Sequence, residues 1–289
     1  MRLATFQYQG HTRIGVVHGD HVADLSGVTD LPREMTALLE AGAETLARAA
    51  RAAASAPRLP LAGVTLCAPI LRPPKILAVG LNYADHVAET GAQTPKQPII
   101  FNKQSTAAHP PHAPFHMPRV STALDYEGEL GIVIGRRCRH VPRERAREVI
   151  AGYTIVNDVS VRDWQMRVPT MTMGKSFDTH CPMGPWIVTS DELPDPHGLD
   201  LKTWVNGELR QSSNTKQLIY DCFALIEHLT TVFTLEPGDL ISTGTPGGVG
   251  VAMKPPKFLK VGDVVRIAIE GIGEIENAVV AEPAETTRI

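Results

Sequence analysis

The sequence predicts a mainly β fold with some helix (α+β), a mixed β sandwich or roll behind a small leading unit. Three observations point there. Glycine and proline number 24 and 23 in 289 residues, well above their usual combined share of about 12%, so turns are frequent. Short strand-like segments dominate from residue 76 onward. They do not alternate with the helices of roughly 10–15 residues that a doubly wound parallel sheet requires.

Residues 1–25 alternate apolar and polar positions around Gly10 and Gly19-Asp20, the pattern of short antiparallel strands. From Pro32 to Ala56 the chain turns Ala- and Leu-rich, which predicts one helix stopped by Pro57 and Pro60. Arg72-Pro73-Pro74 is a stiff linker, because proline fixes its own φ and restricts the residue before it. The division expected is a small α/β unit over 1–71 and a main domain over 72–289. In the main domain strands are predicted at 76–80, 98–102, 129–135, 152–158, 184–189, 201–206, 239–243, 263–269 and 274–280. Helices are predicted at 82–90, 142–150 and 216–233.

Lys and Arg total 28 against 31 Asp and Glu, a net charge of -3. That balance gives no reason to expect nucleic acid or an anionic membrane as a partner. No stretch approaches the ~20 apolar residues of a membrane span, and MRLATFQYQG lacks a signal-peptide layout. Cys67, Cys138, Cys181 and Cys222 are scattered, with no C-x-x-C pair, as in reduced cytosolic thiols. A soluble cytoplasmic protein is expected.

Several segments carry residues suited to chemistry. Asp125-Tyr126-Glu127-Gly128-Glu129 opens a buried-looking strand, where positions two apart share a face about 6.5–7 Å apart. Glu127 and Glu129 would then aim two carboxylates at one spot, and like charges that close need a cation, a shared proton or a base. An exposed strand edge with both glutamates in water satisfies the same pattern. Asp158 stands where the apolar run Gly152–Val156 meets a loop, a common place for functional side chains and equally for a turn cap. If the three converge, they form an all-oxygen site suited to Mg²⁺ or Mn²⁺, with Ca²⁺ as a third option. Positions left open for water or substrate would make such a site catalytic in style.

His86 and Glu89, three apart on a short helix, suit a carboxylate-oriented general base, or merely a surface pair. Lys175 lies in a Gly/Pro-rich stretch where it would balance converging carboxylates or simply be solvated. The run Ser242–Gly250 offers bare amides able to hold an anion in a backbone nest. It is not a phosphate-cradling P-loop, since no Gly-Lys-Ser/Thr follows. His109, His112 and His116 have zinc-like spacing, but the prolines around them make a stiff irregular loop, and a zinc site there is set aside.

Taken in order, AVGLNYADHVAE, FNKQST, DYEGELGIVIG, NDVSVRDWQ, GKSFDTHCPMGP, SNT and PGDLISTGTPGGVG resemble the fumarylacetoacetate hydrolase family. They cover about residues 74–280. The resemblance implies a β-sandwich roll, usually a homodimer, that binds Mg²⁺ or Mn²⁺. It makes Glu127, Glu129 and Asp158 the metal ligands and places His86 and Glu89 on the family's water-activating dyad, in a lid over the substrate. Lys175 and Gln165 match substrate-polarising positions, Thr245 matches one that holds a substrate carboxylate, and Lys103 and Arg162 lie in matching motifs. The chain departs from the pattern in lacking a tyrosine between Gln165 and Lys175, and in carrying His180 at a place often aromatic. Both departures bear on the substrate's tail.

The activity this implies is hydrolysis of a carbon–carbon bond in a 2,4-dioxo acid of the acylpyruvate type, through water activated by His86 and a pyruvate enolate. The same residues suit isomerisation of 2-hydroxy-dienedioates, decarboxylation of oxaloacetate-like acids, or ureidoglycolate cleavage. A non-enzymatic protein that binds a divalent ion or a small acid is the alternative from another class.

Overall fold

The segments Gly128–Ile134 and Ile150–Asn157 are buried along their whole lengths in the computed structural model, which describes residues 1–285. Strands covered on both faces need apolar residues at successive positions, and these supply them. Leu130, Ile132, Ile134, Tyr153 and Ile155 face one core; Val133 and Val156 face another. The two strands are antiparallel, with Gly128 opposite Asn157 and Glu129 opposite Val156.

They are the centre of a 12-stranded mixed sheet. To one side lie Leu240–Ser242, then Ile76–Gly80 in parallel with it, then Ile99–Lys103. To the other lies Cys181–Thr189, followed by the leading strands Arg2–Tyr8, His11–His18, His21–Asp24 and Arg58–Pro60. Arg2 and Leu3 pair with Val188 and Ile187, so the leading residues continue the same sheet. A second, five-stranded sheet holds Glu208–Asn214, Asp200–Val205, Val264–Ile269, Gly273–Ala281 and Phe115–Met117. Leu201, Val265, Ile267 and Ile275 from it close the first core against the central strands.

The opposite face of the large sheet is covered by two helices, α1 (Met35–Glu40) and α2 (Gly42–Ala53). One helix was expected here. The break falls at Gly42, whose φ of 81° lies in the left-handed region that ends helices. It lets Leu38 and Leu39 of α1 and Ala49 and Ala53 of α2 pack on the same core as Val133, Val156 and Leu240. Among the described residues four further α-helices follow: α3 (Ala84–Thr90), α4 (Arg162–Gln165), α5 (Thr172–Lys175) and α6 (Cys222–Val232).

Three further expectations are corrected. Residues 142–150 form a 3₁₀ segment, Arg143–Val149, that leads directly into a strand. The helix expected from 216 starts only at Cys222, because Asp221 caps it by accepting the amides of Phe223 and Ala224 at 3.1 and 2.9 Å. The strand Glu208–Asn214 was not expected at all. Its signal is Asn206-Gly207, with φ values of 52° and 80°, the pair that a tight antiparallel turn favours.

Candidate active site

The central hairpin assembles three acids at one end. Glu127 immediately precedes Gly128–Ile134, Glu129 lies within it, and Asp158 immediately follows Ile150–Asn157. The amide of Asp158 donates to the carbonyl of Glu127 at 2.9 Å, which ties the strand ends together. One carboxylate oxygen from each of the three lies within 4.8 Å of the others, and all three residues are buried. It is the only such acid, histidine or cysteine cluster among the described residues.

Ionised carboxylates out of water need partners, and two of the three have cations. Lys175 places its Nζ 2.6 Å from Glu127 Oε2 and 2.9 Å from Asp158 Oδ2. Lys103 reaches Asp158 Oδ1 at 2.7 Å. Arg162 pairs with Glu127 Oε1 at 2.7 Å and with Asp125 Oδ2 at 2.8 Å. Both lysines are only 2% exposed, so these are interior pairs in which charge–charge interaction is strong. Burial alone would raise Glu127, but the charges of Lys175 and Arg162 outweigh it and hold its carboxyl down at about 2.

Glu129 has no cation of its own. Its Oε2 accepts the Ser242 hydroxyl at 2.6 Å and the Gly244 amide at 2.7 Å. Burial, then the negative charges of Asp158 and Glu127, push its carboxyl well above the ordinary range despite the Ser242 bond. Four buried carboxylates (Asp125, Glu127, Glu129 and Asp158) thus face three cations (Lys103, Arg162 and Lys175), leaving negative charge in excess around Glu129. An all-oxygen donor set with uncompensated negative charge fits a hard divalent cation such as Mg²⁺, Mn²⁺ or Ca²⁺.

Helix α3 brings the histidine. His86 is buried, and its Nδ1 lies 3.4 Å from Glu89 Oε2. With Nδ1–H directed at the carboxylate, Nε2 is the basic nitrogen. The imidazole is near enough to the triad for its charge to act on Glu127. Glu89 is itself fixed through Oε1, which accepts the Gly248 amide at 2.9 Å.

The remaining candidates fall into two groups. Gln165 lies beside the cations: its Oε1 accepts from Arg162 at 2.9 Å, and its Nε2 reaches Met171 Sδ at 3.6 Å. Gly174 makes this arrangement feasible, since a Cβ there would stand 2.1 Å from the Gln165 amide nitrogen. α5 can therefore press on α4 and present Lys175 to the acids. Thr245 is already engaged, donating to the Gly128 carbonyl at 3.0 Å and accepting from Gln211 Nε2 at 2.8 Å.

The glycine-rich run holds anions, but they belong to the protein. Its amides serve Glu129 (Gly244), Asp85 (Gly247), Glu89 (Gly248) and Asp125 (Gly250 and Val251). The histidine loop is likewise turned to backbone: His109 Nε2 meets Pro114 O at 2.9 Å, and His180 Nε2 meets His116 O at 2.7 Å.

Sequence reasoning missed Gln211, which is fully buried and binds the Gly128 amide, Thr245 and the Pro246 carbonyl. It also missed Asp125 as the partner of Arg162, and Ser242 on Glu129. Gln211 sits on the strand that the Asn-Gly turn signals. The other two lie inside motifs already singled out.

Residues 75–280 match the fumarylacetoacetate (FAA) hydrolase C-terminal family model, and residues 1–69 match the Rv2993c-like N-terminal model. Oxaloacetate tautomerase Fahd2a, mitochondrial, of Rattus norvegicus is 44% identical over 287 residues, covering 97% of this chain and 92% of that protein. Among solved structures, the fumarylacetoacetate hydrolase EaFAH of Exiguobacterium antarcticum superposes with a TM-score of 0.88 at 39% identity, covering 98% of this chain and 100% of that one. Maleylpyruvate hydrolase of Sphingobium sp. SYK-6, solved with manganese(II) and pyruvate, gives a TM-score of 0.83 at 36% identity, with 98% and 100% covered.

Proposed function

The chain belongs to the fumarylacetoacetate hydrolase family, and from its site we propose that it is a divalent-metal-dependent enzyme that interconverts the enol and keto forms of an oxaloacetate-like 2-oxo acid. The observation that carries this reading is the oriented His86–Glu89 pair together with a buried triad of carboxylates, one of which, Glu127, feels the imidazole. The 44% identity to an oxaloacetate tautomerase over nearly the whole chain supports the choice of substrate class.

Glu127, Glu129 and Asp158 would hold Mg²⁺ or Mn²⁺, which supplies positive charge for the substrate's 2-oxygen and carboxylate. The protein's own groups move the proton. In the enol-to-keto direction neutral His86 takes the proton of the 2-hydroxyl, the C2–O bond becomes a carbonyl, and the imidazolium so formed returns the proton to C3. In the reverse direction neutral His86 removes a proton from C3, and Glu89 stabilises the imidazolium that forms. Negative charge develops on the 2-oxygen between these steps. Lys175 commits two of its three N–H donors to Glu127 and Asp158 and keeps one for that oxygen. Gln165 and Arg162 would line the approach, and Thr245, whose match in the resemblance is a carboxylate-holding position, would serve the substrate by releasing the Gly128 carbonyl. The working form in this reading is the homodimer that the resemblance implies, checked by light scattering of the purified protein.

Hydrolysis of an acylpyruvate is the second reading, favoured by the similarity to a maleylpyruvate hydrolase solved with pyruvate. There His86 would activate water to attack the 4-carbonyl, and a pyruvate enolate would leave from the broken C3–C4 bond.

One experiment separates the two. Metal-stripped protein, with and without Mn²⁺, is mixed with oxaloacetate while the enol absorbance is followed, and in parallel with acetylpyruvate while pyruvate is assayed. The expected result is metal-dependent tautomerisation, reduced about 10²–10⁴-fold in His86→Ala, as loss of a general acid–base costs. Pyruvate release without tautomerisation selects the hydrolase reading, and inactivity in both arms overturns the proposal.

A further inference from the structure

The lid helix carries an acidic side chain that the proposed chemistry does not use. Asp85 immediately precedes His86 and lies four residues before Glu89, so Asp85 and Glu89 share a helix face one turn apart. Both accept amides from consecutive residues of the glycine run: Gly247 donates to Asp85 Oδ1 at 3.4 Å, and Gly248 donates to Glu89 Oε1 at 2.9 Å. The second oxygen of Asp85 accepts the hydroxyl of Ser213, on the Glu208–Asn214 strand.

We propose that Asp85 is a positioning residue, a latch that docks α3 on Ser213 and Gly247 and so presents His86 and Glu89 to the acid triad. The inference rests on the proposed role of that pair. α3 has only seven residues, and its N-cap residue, Tyr83, makes no side-chain capping bond. A helix that short is marginal on its own and takes its stability from docking. The seat is shaped for it. Gly248 has a φ of +103°, and a Cβ there would stand 2.0 Å from the Arg210 carbonyl oxygen. A Cβ on Gly247 would stand 3.4 Å from Glu89 Oε2. Glycine at 248 lets the run lie close against Arg210 with its amide directed at Glu89, whereas a Cβ at 247 would make only an ordinary contact. Beyond the helix, the Tyr220 hydroxyl donates to the Pro95 carbonyl at 2.7 Å, which secures the segment that leaves the lid. Glu89 holds one turn of the helix and Asp85 holds the other, from which His86 projects. The chain entering the helix is pinned by buried Asn82, which donates to the Thr243 and Tyr220 carbonyls, so Asp85 adds the side-chain tie on the face that also carries Glu89.

The test combines turnover, Mn²⁺ affinity and amide hydrogen exchange of residues 84–90 in the full-length protein. In Asp85→Ala, exchange in the helix rises and kcat falls, each about 10-fold, the scale of one lost charge-assisted hydrogen bond. Mn²⁺ affinity and the thermal midpoint stay at the wild-type values. Asp85→Asn restores much of kcat, because its oxygen still accepts from Gly247 and its amide can donate to Ser213. Ser213→Ala, which leaves Asp85 in place, moves exchange and kcat in the same direction by less. Unchanged exchange at 84–90 in Asp85→Ala overturns the latch, as does Mn²⁺ affinity that falls in step with kcat. A wild-type protein inactive on both 2-oxo acids overturns the proposed function instead, and the exchange measurement still decides the latch.

Discussion

The two sides of the acid triad hold negative charge by different means. Glu127 and Asp158 are met by Lys175, Lys103 and Arg162, and full positive charges drive Glu127 down to about 2 despite its burial. Glu129, on the other side, has one hydroxyl and one amide, and its carboxyl is raised by burial and by its two acidic neighbours. Dipolar donors solvate a buried carboxylate, but they do not cancel its repulsion from two others. The Glu129 side is therefore where an added cation gains most. The lysine side is already balanced and is built for position.

That contrast can be broken from either end. Lys175→Met removes the cation shared by Glu127 and Asp158 and leaves Arg162 and Lys103 as their only cations, so negative charge is buried in excess; losing one partner of a buried pair typically costs about 3–5 kcal/mol. Chemical denaturation of the metal-free protein should show a loss of that size; a loss below ~1 kcal/mol would mean the balance described for this side is wrong.

A third treatment of buried charge sharpens the comparison. His180 has no counter-ion: its Nε2 meets the His116 carbonyl, and its Nδ1 has no hydrogen-bond partner among the described residues. Burial first, with the nearby positive charge of Lys103 adding to it, pushes it down to about 3, so the ring stays neutral in the folded protein. The unfolded chain takes up a proton near its ordinary value of 6.5 while the folded chain does not. His180 therefore costs no stability above that value and destabilises the fold as pH drops from 6.5 toward 3. The expected slope is about 1.4 kcal/mol per pH unit for one proton. Stability measured from pH 7 to 5 should be flatter in His180→Phe than in wild type, and equal slopes would contradict the assignment.

Much of the site is legible in the chain because its acids lie next to strands. Period-two spacing puts Glu127 and Glu129 together, and the end of an apolar run marks Asp158. The contacts that organise these groups are less legible, since they join residues far apart in sequence. Arg162 finds Asp125 across 37 positions, and Ser242 finds Glu129 across 113. The glycine run reads correctly as an anion-holding loop, but nothing local tells that Asp85, Glu89, Asp125 and Glu129 are the anions. Gln211 is hidden for a simpler reason: it lies on a strand whose only signal is the Asn206-Gly207 turn, and Ser213, within the SNT motif, carries no local mark of its bond to Asp85. The helix break at Gly42 is of the same kind, a local signal outweighed by an Ala- and Leu-rich pattern.

The central claim is that the charge imbalance around Glu129 is the seat of a divalent ion. Calorimetric titration of Mn²⁺ into metal-stripped wild-type protein and Glu129→Gln tests it most directly. The account predicts one ion per chain in the wild type, and binding in the variant weakened by more than the roughly 10–100-fold that outer-shell changes cost. The metal-free variant should be at least as stable as wild type, because a neutral amide replaces a carboxyl whose charged form burial and two acidic neighbours disfavour. Equal Mn²⁺ binding by the two proteins, or none by the wild type, would contradict it.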